Sequence, residues 1–558
     1  MILTASSRGA QATAATPQLL HVLVLMFACL LPHPSDAQEA NSAKRYIQAP
    51  AVLARFPDVP IVIDTPALRP GRTTFTSQSE MEAFIADLAS APRSAAHLMR
   101  LTLGTTPGGR NLPALLISKE GARTPAEMAN LGRPIVWLIG QQHGDEPAGG
   151  EAMLALAQAL SDGDLVPVLD SISVVVIPRA NPDGAAAGTR VNAAGQDINR
   201  DHALFTQPEI RLIHALVRQL PPALVIDAHE FTVGRRWVEK LGGLQAVDLM
   251  VLSSTHPMTP APIRALTDAM FQPAVEAAIS SYKLTSFIYH TTSSRSADRS
   301  ISVGGSAPGI ARNAFGLMGA VSILLETRGV GIGLESYQRR VATHVIAAKA
   351  LLEAAATHAE LLAATNRAAQ AVNASPIQDV VVAHTNVRTV VSLPLIDPLT
   401  GADKVASVTM LDTRIVTGTE QRSRPAGYLI SADRIAAIRA QIKLLGADIC
   451  QLTRAAMLPI ESYDVLDRTA ADRRAINPDA SLRVRVHSNR RVFEAGSIFI
   501  GVDQAAGTRL MLALEPDAPG SLSAQTLLVD EDPGAIAIAR LPREGLTPEF
   551  RQQLNCTK

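Results

Sequence analysis

Four metal-competent or acid–base side chains follow directly on strongly apolar stretches. His143 and Glu146, three residues apart, come after residues 134–139. The stretch beginning at Ala223 ends in Asp227-Ala228-His229-Glu230, and Glu326 follows residues 320–325. Two imidazoles and a carboxylate form a donor set that zinc accepts, and a catalytic zinc keeps three protein ligands and one open position. His143, Glu146 and His229 are therefore the expected ligands of one zinc ion. Water on such an ion ionises near pH 7 and needs a base to take its proton. Glu326 is the candidate, with no cationic neighbour in sequence until Arg328. Arg190 has the chemistry to stabilise an oxyanion. Asn199 and Arg200 suit a substrate carboxylate, which the planar guanidinium fork matches bidentately.

The elements that must hold these groups are legible in the hydrophobic pattern. Residues 134–139, 171–178, 223–228 and 320–325 read as buried strands, continuous rather than alternating. Helical patterns stand between them, over 146–160, 208–220 and 261–281. This alternation predicts an α/β fold with a largely parallel sheet covered on both faces. In such sheets ligands bind beyond the carboxyl ends of the strands, where His143, Glu146, His229 and Glu326 fall. A helix is expected over 77–89. Residues 101–103 and 112–118, around a Gly-rich turn, read as a hairpin. Residues 250–253 and 283–289 read as weaker strands, and the polar loop 291–309 is long enough to suggest a function.

An Ala-rich stretch, 336–371, reads as one long helix that ends at Asn373–Pro376. Beyond it come short segments (VVVAHTNVRTVVSL, KVASVTML, RVRVHSN, SIFIGV, RLMLAL) and one helix, 432–444, giving a mainly β, α+β region. The chain thus divides into a signal segment 1–37, an extended lead-in 38–76, a catalytic region 77–372 and a C-terminal accessory region 376–558.

At 558 residues the chain is too long for one core. Its formal net charge of zero leaves no electrostatic footprint for nucleic acid or an anionic membrane. The start has the parts of a secretory signal: Arg8, an apolar core over 19–31, then Pro32, Pro34 and a small-residue cleavage site at Ser35-Asp36-Ala37. The apolar core is shorter than a span of roughly 20 residues. Residues Met26-Phe27-Ala28 before Cys29 fit a lipobox poorly, and no other stretch reads as transmembrane. The expected location is secreted or periplasmic. Cys450 and Cys556 remain after cleavage, either paired in an oxidising compartment or as two free thiols.

In order along the chain, HGDE at 143–146, NPDG at 181–184, TRVNAAGQDINRD at 189–201, DAHE at 227–230 and LLETRG at 324–329 resemble the zinc carboxypeptidase family, the carboxypeptidase A-like enzymes. The resemblance covers roughly residues 77–350. It implies an α/β/α sandwich with a mixed, largely parallel central sheet, and one zinc ion on His143, Glu146 and His229. It further implies Glu326 as general base and acid, Arg190 polarising the scissile carbonyl, and Asn199 with Arg200 holding the free terminal carboxylate of a peptide. Members of the family carry a Tyr in the loop before the last strand, and SRSADRSISVGGSAPGIARNAFG has none. Arg312 and Asn313 are the polar groups available there for substrate binding. Gly304-Gly305-Ser306 resembles the turn beside the specificity pocket, and no acidic residue follows it, so a basic terminal side chain is not expected.

The expected activity is zinc-dependent removal of residues from the C-terminal end of peptides, cell-wall stem peptides among them if the chain is periplasmic. A zinc deacylase of N-acyl amino acids would reuse the same ligands, and a non-catalytic peptide- or cell-wall-binding protein would use zinc only structurally. The intact Glu326 argues against the last. Simpler roles are expected elsewhere: NPDG as a turn, Asp227 satisfying local backbone in preference to backing a metal ligand, His202 on a surface or loop, and Arg328 in a salt bridge at the sheet edge in preference to pairing with Glu326. His256 and His290 are expected outside the constellation, and His344 and His358 at ordinary positions on the long helix.

Overall fold

The computed structural model describes residues 45–91, 96–468, 480–525 and 536–557; the expected signal segment 1–37 lies outside the described residues. Eight strands form the central sheet: β1 (His97–Thr105), β2 (Asn111–Ser118), β3 (Ile135–Gly140), β4 (Ser173–Ile177), β5 (Leu224–Thr232), β7 (Leu249–Ser253), β8 (Ser286–Ile288) and β10 (Val321–Val330). Their spatial order is β1-β2-β4-β3-β5-β10-β7-β8. The middle of the sheet, β4-β3-β5-β10, is parallel, while β1, β2 and β7 join antiparallel. Every residue of β3 and β4 is buried. Helices cover both faces, so the inside–outside alternation of a half-exposed strand disappears. Trp137 on β3 is fully buried and still satisfies its indole N–H on Leu220 O at 3.0 Å.

The helix Pro147–Asp162 packs on this sheet and also fixes the chain before it. Its Glu151 accepts hydrogen bonds from the Ala67 backbone N–H at 2.9 Å and the Thr76 hydroxyl at 2.6 Å. The lead-in is thereby tied to the core, with Val52, Phe56, Val59 and Ala67 buried. Helix Gln78–Ser90 starts with a reciprocal capping box between Ser77 and Glu80.

Beyond residue 376, β11 (Val380–Ile396) and β12 (Asp403–Arg422) form a long hairpin. Two short strands of the preceding region, β6 (Leu244–Gln245) and β9 (Ile301–Ser302), add to it in the order β6-β11-β12-β9. A seven-stranded sheet follows, made of β13 (Gly427–Ile430), β14 (Ile449–Leu452), β15 (Ala456–Arg468), β16 (Leu482–Phe493), β17 (Ile498–Gly501), β18 (Ile538–Leu541) and β19 (Leu554–Thr557). Cys450 on β14 and Cys556 on β19 are directly opposite and joined as a disulfide. No helix among the described residues is long and apolar enough to cross a membrane.

Three expectations differ from the structure. The Ala-rich helix is two, Tyr337–Thr357 and Ala359–Ala374, broken at His358, whose ψ of 32° is non-helical. The second segment turns to dock where Asn366 and Asn373 donate to Gly319 O and Leu317 O at 2.7 and 2.8 Å. RLMLAL is not a strand but lies in the helix Gly507–Leu514, nearly all of it buried; a short apolar run carries no periodicity to separate the two. The helix expected over 432–444 is reduced to a turn at Ile435–Ala437 and a helix at Arg439–Leu444.

Candidate active site

The loop leaving β3 bends sharply, with Gln141 at φ 51°. It then passes so close to the segment at Gly184 that a Cβ on Gly144 would sit 1.9 Å from the Gly184 carbonyl carbon. Only glycine fits there. NPDG is the other half of this contact: Asn181 caps the helix Pro182–Ala187 by accepting from Gly184 N at 2.9 Å and donates to Gln142 O at 3.2 Å. Asp183 anchors the turn through Thr106, Gly108 and Arg110. The motif is a structural turn, as its Pro and Gly suggest.

This packing delivers His143 and Glu146 opposite His229 on β5. His143 Nδ1 lies 2.8 Å from Glu146 Oε1, His229 Nδ1 lies 2.7 Å from Glu146 Oε2, and the two Nδ1 atoms are 3.0 Å apart. All three side chains are buried. Donors bound to one tetrahedral zinc at about 2.0–2.1 Å would stand roughly 3.3 Å from one another, close to this spacing. The remaining ring nitrogens face carboxylates: His143 Nε2 is 3.2 Å from Asp197 Oδ1, and His229 Nε2 is 3.0 Å from Asp227 Oδ1. A carboxylate on Nε2 keeps the proton there and turns the Nδ1 lone pair towards the cluster, the arrangement metal-binding histidines use. Burial should strip His229 of charge, yet Asp227 and Glu146 outweigh it and hold its pKa well above 6.5. The site is built to contain positive charge, and its donors fit zinc.

A cavity of about 440 Å³ opens beside the cluster. Among the groups lining it are Asp145, Arg190, Asn199, Arg200, Tyr289, His290, Arg312 and Glu326. Glu326, on β10 opposite His229 in register, is buried. Burial, reinforced by the Glu146 carboxylate, pushes it up to about 8. Desolvation in the cavity opposes the charge on the half-exposed Arg190, but Asp197 and Glu146 hold that guanidinium firmly protonated. Its Nε and Nη2 donate to Asp197 Oδ2 at 3.0 and 2.8 Å, leaving Nη1 3.1 Å from His143 Nδ1. Asn199 accepts from Ala311 N at 2.8 Å, its Nδ2 lies 3.1 Å from His229 Nε2, and Arg200 donates to Asn199 O at 2.8 Å.

The structure brings His143, Glu146, Glu326, Arg190, Asn199, Arg200 and Arg312 to this one cavity, and His229 completes the donor cluster beside it. Asn313 is turned away, donating to Gly305 O and Ala307 O at 3.1 and 3.0 Å. Several sequence readings need correction. Of the two roles open to Asp227, the structure shows the one behind a ligand rather than the favoured local one: it bridges His229 to Gln142, whose Nε2 donates to it at 2.7 Å. His202 is buried, with Nε2 donating to Gln142 Oε1 at 2.8 Å and Nδ1 2.9 Å from His214. His290 lines the cavity rather than lying outside it. Arg328 makes no salt bridge among the described residues; it donates to Gln48 at 2.7 Å and sits 4.0 Å over the Phe56 ring. Glu230, beside His229, accepts from the first turn of the helix Pro147–Asp162 at Ala148 N, 2.9 Å away, and pairs with Arg340 at 2.6 Å.

Sequence reasoning also missed Tyr289. It comes from the chain just before the Tyr-free loop, and its phenol is pushed up by burial and by Glu326. Its only advance signal was its position at the end of a short expected strand. The far side of the cavity depends on the C-terminal hairpin: β9 pairs with β12, Val303 N donates to Leu411 O at 3.0 Å, and Ser306 Oγ lies 2.9 Å from His384 Nε2.

Comparison with known proteins leads to zinc carboxypeptidases. Residues 81–231 match the zinc carboxypeptidase family. Carboxypeptidase 2 of Trichophyton equinum is 28% identical over 426 residues, covering 73% of this chain and 76% of that protein. A probable carboxypeptidase 2 of Trichophyton verrucosum is 32% identical over 250 residues, 44% of this chain and 48% of that one. Among solved structures, carboxypeptidase A from Helicoverpa armigera is similar, with a TM-score of 0.41 and 17% identity over 58% of this chain and 82% of that chain. The chain carries a zinc carboxypeptidase domain and is a hydrolase of the metallocarboxypeptidase class.

Proposed function

We propose that the chain removes the C-terminal residue from peptides, with one zinc ion held by His143, Glu146 and His229. The convergence of three buried donors, each imidazole backed by a carboxylate, supports this reading most directly. When bound, the ion supplies Lewis-acid polarisation and a water that ionises near neutral pH. Glu326 accepts the proton of the attacking water on its carboxylate and returns it to the peptide nitrogen as the C–N bond breaks. Its burial excludes competing solvent and raises its basicity. Arg190, oriented by Asp197, directs Nη1 towards the negative charge developing on the carbonyl oxygen. Arg200 takes the free α-carboxylate. Asn199 shapes the same wall; its side chain is engaged by Ala311 and faces His229, so it acts by placing Arg200 as much as by direct contact.

Catalysis is assigned to residues 77–372, with 376–558 as an accessory region whose hairpin buttresses the cavity. A secreted or periplasmic setting is inferred from the signal-like sequence pattern over 1–37 and supported by the Cys450–Cys556 disulfide; cell-wall peptides are then a candidate substrate class. The test is metal analysis of the purified protein, then incubation with one peptide bearing a free or an amidated C-terminus. Bound zinc and cleavage of the free form alone are expected. Equal cleavage of both forms, or activity confined to N-acyl amino acids, overturns the reading.

A further inference from the structure

We infer that the cavity selects peptides ending in Glu or Asp, the acidic side chain pairing with Arg312 while Arg200 holds the α-carboxylate. The inference rests on the proposed peptide C-terminus site and goes further by naming the terminal residue.

Arg312 is the second residue of the helix Ala311–Met318, lines the cavity and is only 3% exposed. Its polar contacts are all neutral. Nη2 donates to Gly305 O and reaches Thr255 Oγ1 at 3.5 Å, while the buried Nε has no partner. Among the described residues no carboxylate lies within ion-pair distance of it. Of the arginines lining this cavity only Arg312 is buried: Arg190 pairs with Asp197, Arg200 stands 3.9 Å from the same carboxylate, and the exposed Arg236 donates to Thr292 O at 3.2 Å, while buried Arg328, also without a carboxylate partner, does not line this cavity. Burial pushes Arg312 down to about 10, with Tyr289 opposing and the like charge of Arg200 adding to the fall, so it remains a cation at neutral pH.

A buried, uncompensated guanidinium is costly, and one that faces an open cavity is placed to take its counter-ion from a ligand. The backbone here is arranged for it. Gly304 takes φ +55°, and a Cβ there would lie 2.7 Å from Arg312 Nη2. The glycine thus clears the space that the guanidinium occupies. Ile310 and Leu324 line the same cavity and would flank the methylenes of a Glu side chain. A basic terminal residue meets two like charges, and an apolar one leaves Arg312 buried and unpaired.

The test uses full-length, zinc-loaded protein and peptides identical except for a terminal Glu, Asp, Gln, Leu or Arg. Glu and Gln have nearly the same shape, so their kcat/KM ratio isolates the charge. A Glu/Gln ratio on the order of 100 is expected, in line with the loss of one partner from a buried charged pair. In Arg312→Met the ratio should fall towards about 1, and Arg312→Lys should restore part of it. The wild-type ratio and the inhibition by free glutamate against free glutamine need no variant. Equal turnover of Glu and Gln peptides, or preference for Leu or Arg, overturns the inference. Equal loss on Glu and Gln peptides in Arg312→Met also overturns it, because Arg312 would then hold the α-carboxylate. Cleavage of none of the five defeats the underlying peptidase reading instead.

Discussion

Replacing Glu326 by Gln should cost catalysis and strengthen the fold, and the second effect should depend on pH with a definite sign. Burial and the neighbouring Glu146 carboxylate raise Glu326 from 4.5 to about 8 in the metal-free protein. Between those values the folded chain binds a proton that the unfolded chain has released. Stability therefore falls as pH rises through this window and is fully present only below it. The displacement corresponds to on the order of 5 kcal/mol against the ionised form above pH 8, an upper bound because water and neighbouring dipoles relax around the charge. Gln fills the same space and cannot ionise. The metal-stripped Glu326→Gln protein should match the parent in thermal unfolding at pH 5 and melt above it at pH 8.5. Zinc binding should persist, since the three donors are untouched, while kcat falls by about 100- to 10,000-fold, the usual contribution of a positioned base. Unfolding scans at the two pH values, zinc titration and turnover make up the assay. A melting difference that is the same at both pH values would refute the placement of Glu326 as a strained buried acid. Undiminished kcat would remove it from the proposed mechanism.

Asp227→Asn should weaken zinc affinity about 10- to 100-fold in a chelator competition, because it disturbs the partner of His229 Nε2 without touching a donor. Arg340→Met strips the counter-charge from buried Glu230 and should lower stability by about 3–5 kcal/mol in denaturant titration, with the start of the helix Pro147–Asp162 losing amide-exchange protection first. Reduction of Cys450–Cys556, which closes a separation of 106 residues, should destabilise the seven-stranded sheet by up to about 4–5 kcal/mol on chain-entropy grounds, read as a lower unfolding midpoint in the Cys450→Ser/Cys556→Ser protein.

The residue types at the ends of β3, β5 and β10 were readable because buried parallel strands leave an unbroken apolar signature and their carboxyl ends gather ligands. What surrounds those residues was not. Asp197 and Asp227 look alike in a string of letters, and only the folded distances show that each meets a different histidine on the nitrogen facing away from the cluster. Gln142 and His202 extend that contact inward as a buried polar chain, which no local pattern announces. RLMLAL failed for a different reason: six apolar-rich residues fit a strand or a buried helix equally, and tertiary packing made the choice.

The same limit applies to the substrate side of the cavity. A sequence reveals that the loop before β10 lacks Tyr, but not that Tyr289, from upstream, lines the cavity instead. It reveals Arg312, but not that every carboxylate in this region is already engaged elsewhere or out of ion-pair reach. Charge bookkeeping in a buried site concerns pairs, and pairing is decided by which strands and loops the fold places side by side. At the cluster the pairing is complete enough to hold two imidazoles in register for a metal. Across the cavity it is left open at one guanidinium, and a site closed on one side and open on the other favours a ligand bearing the missing charge.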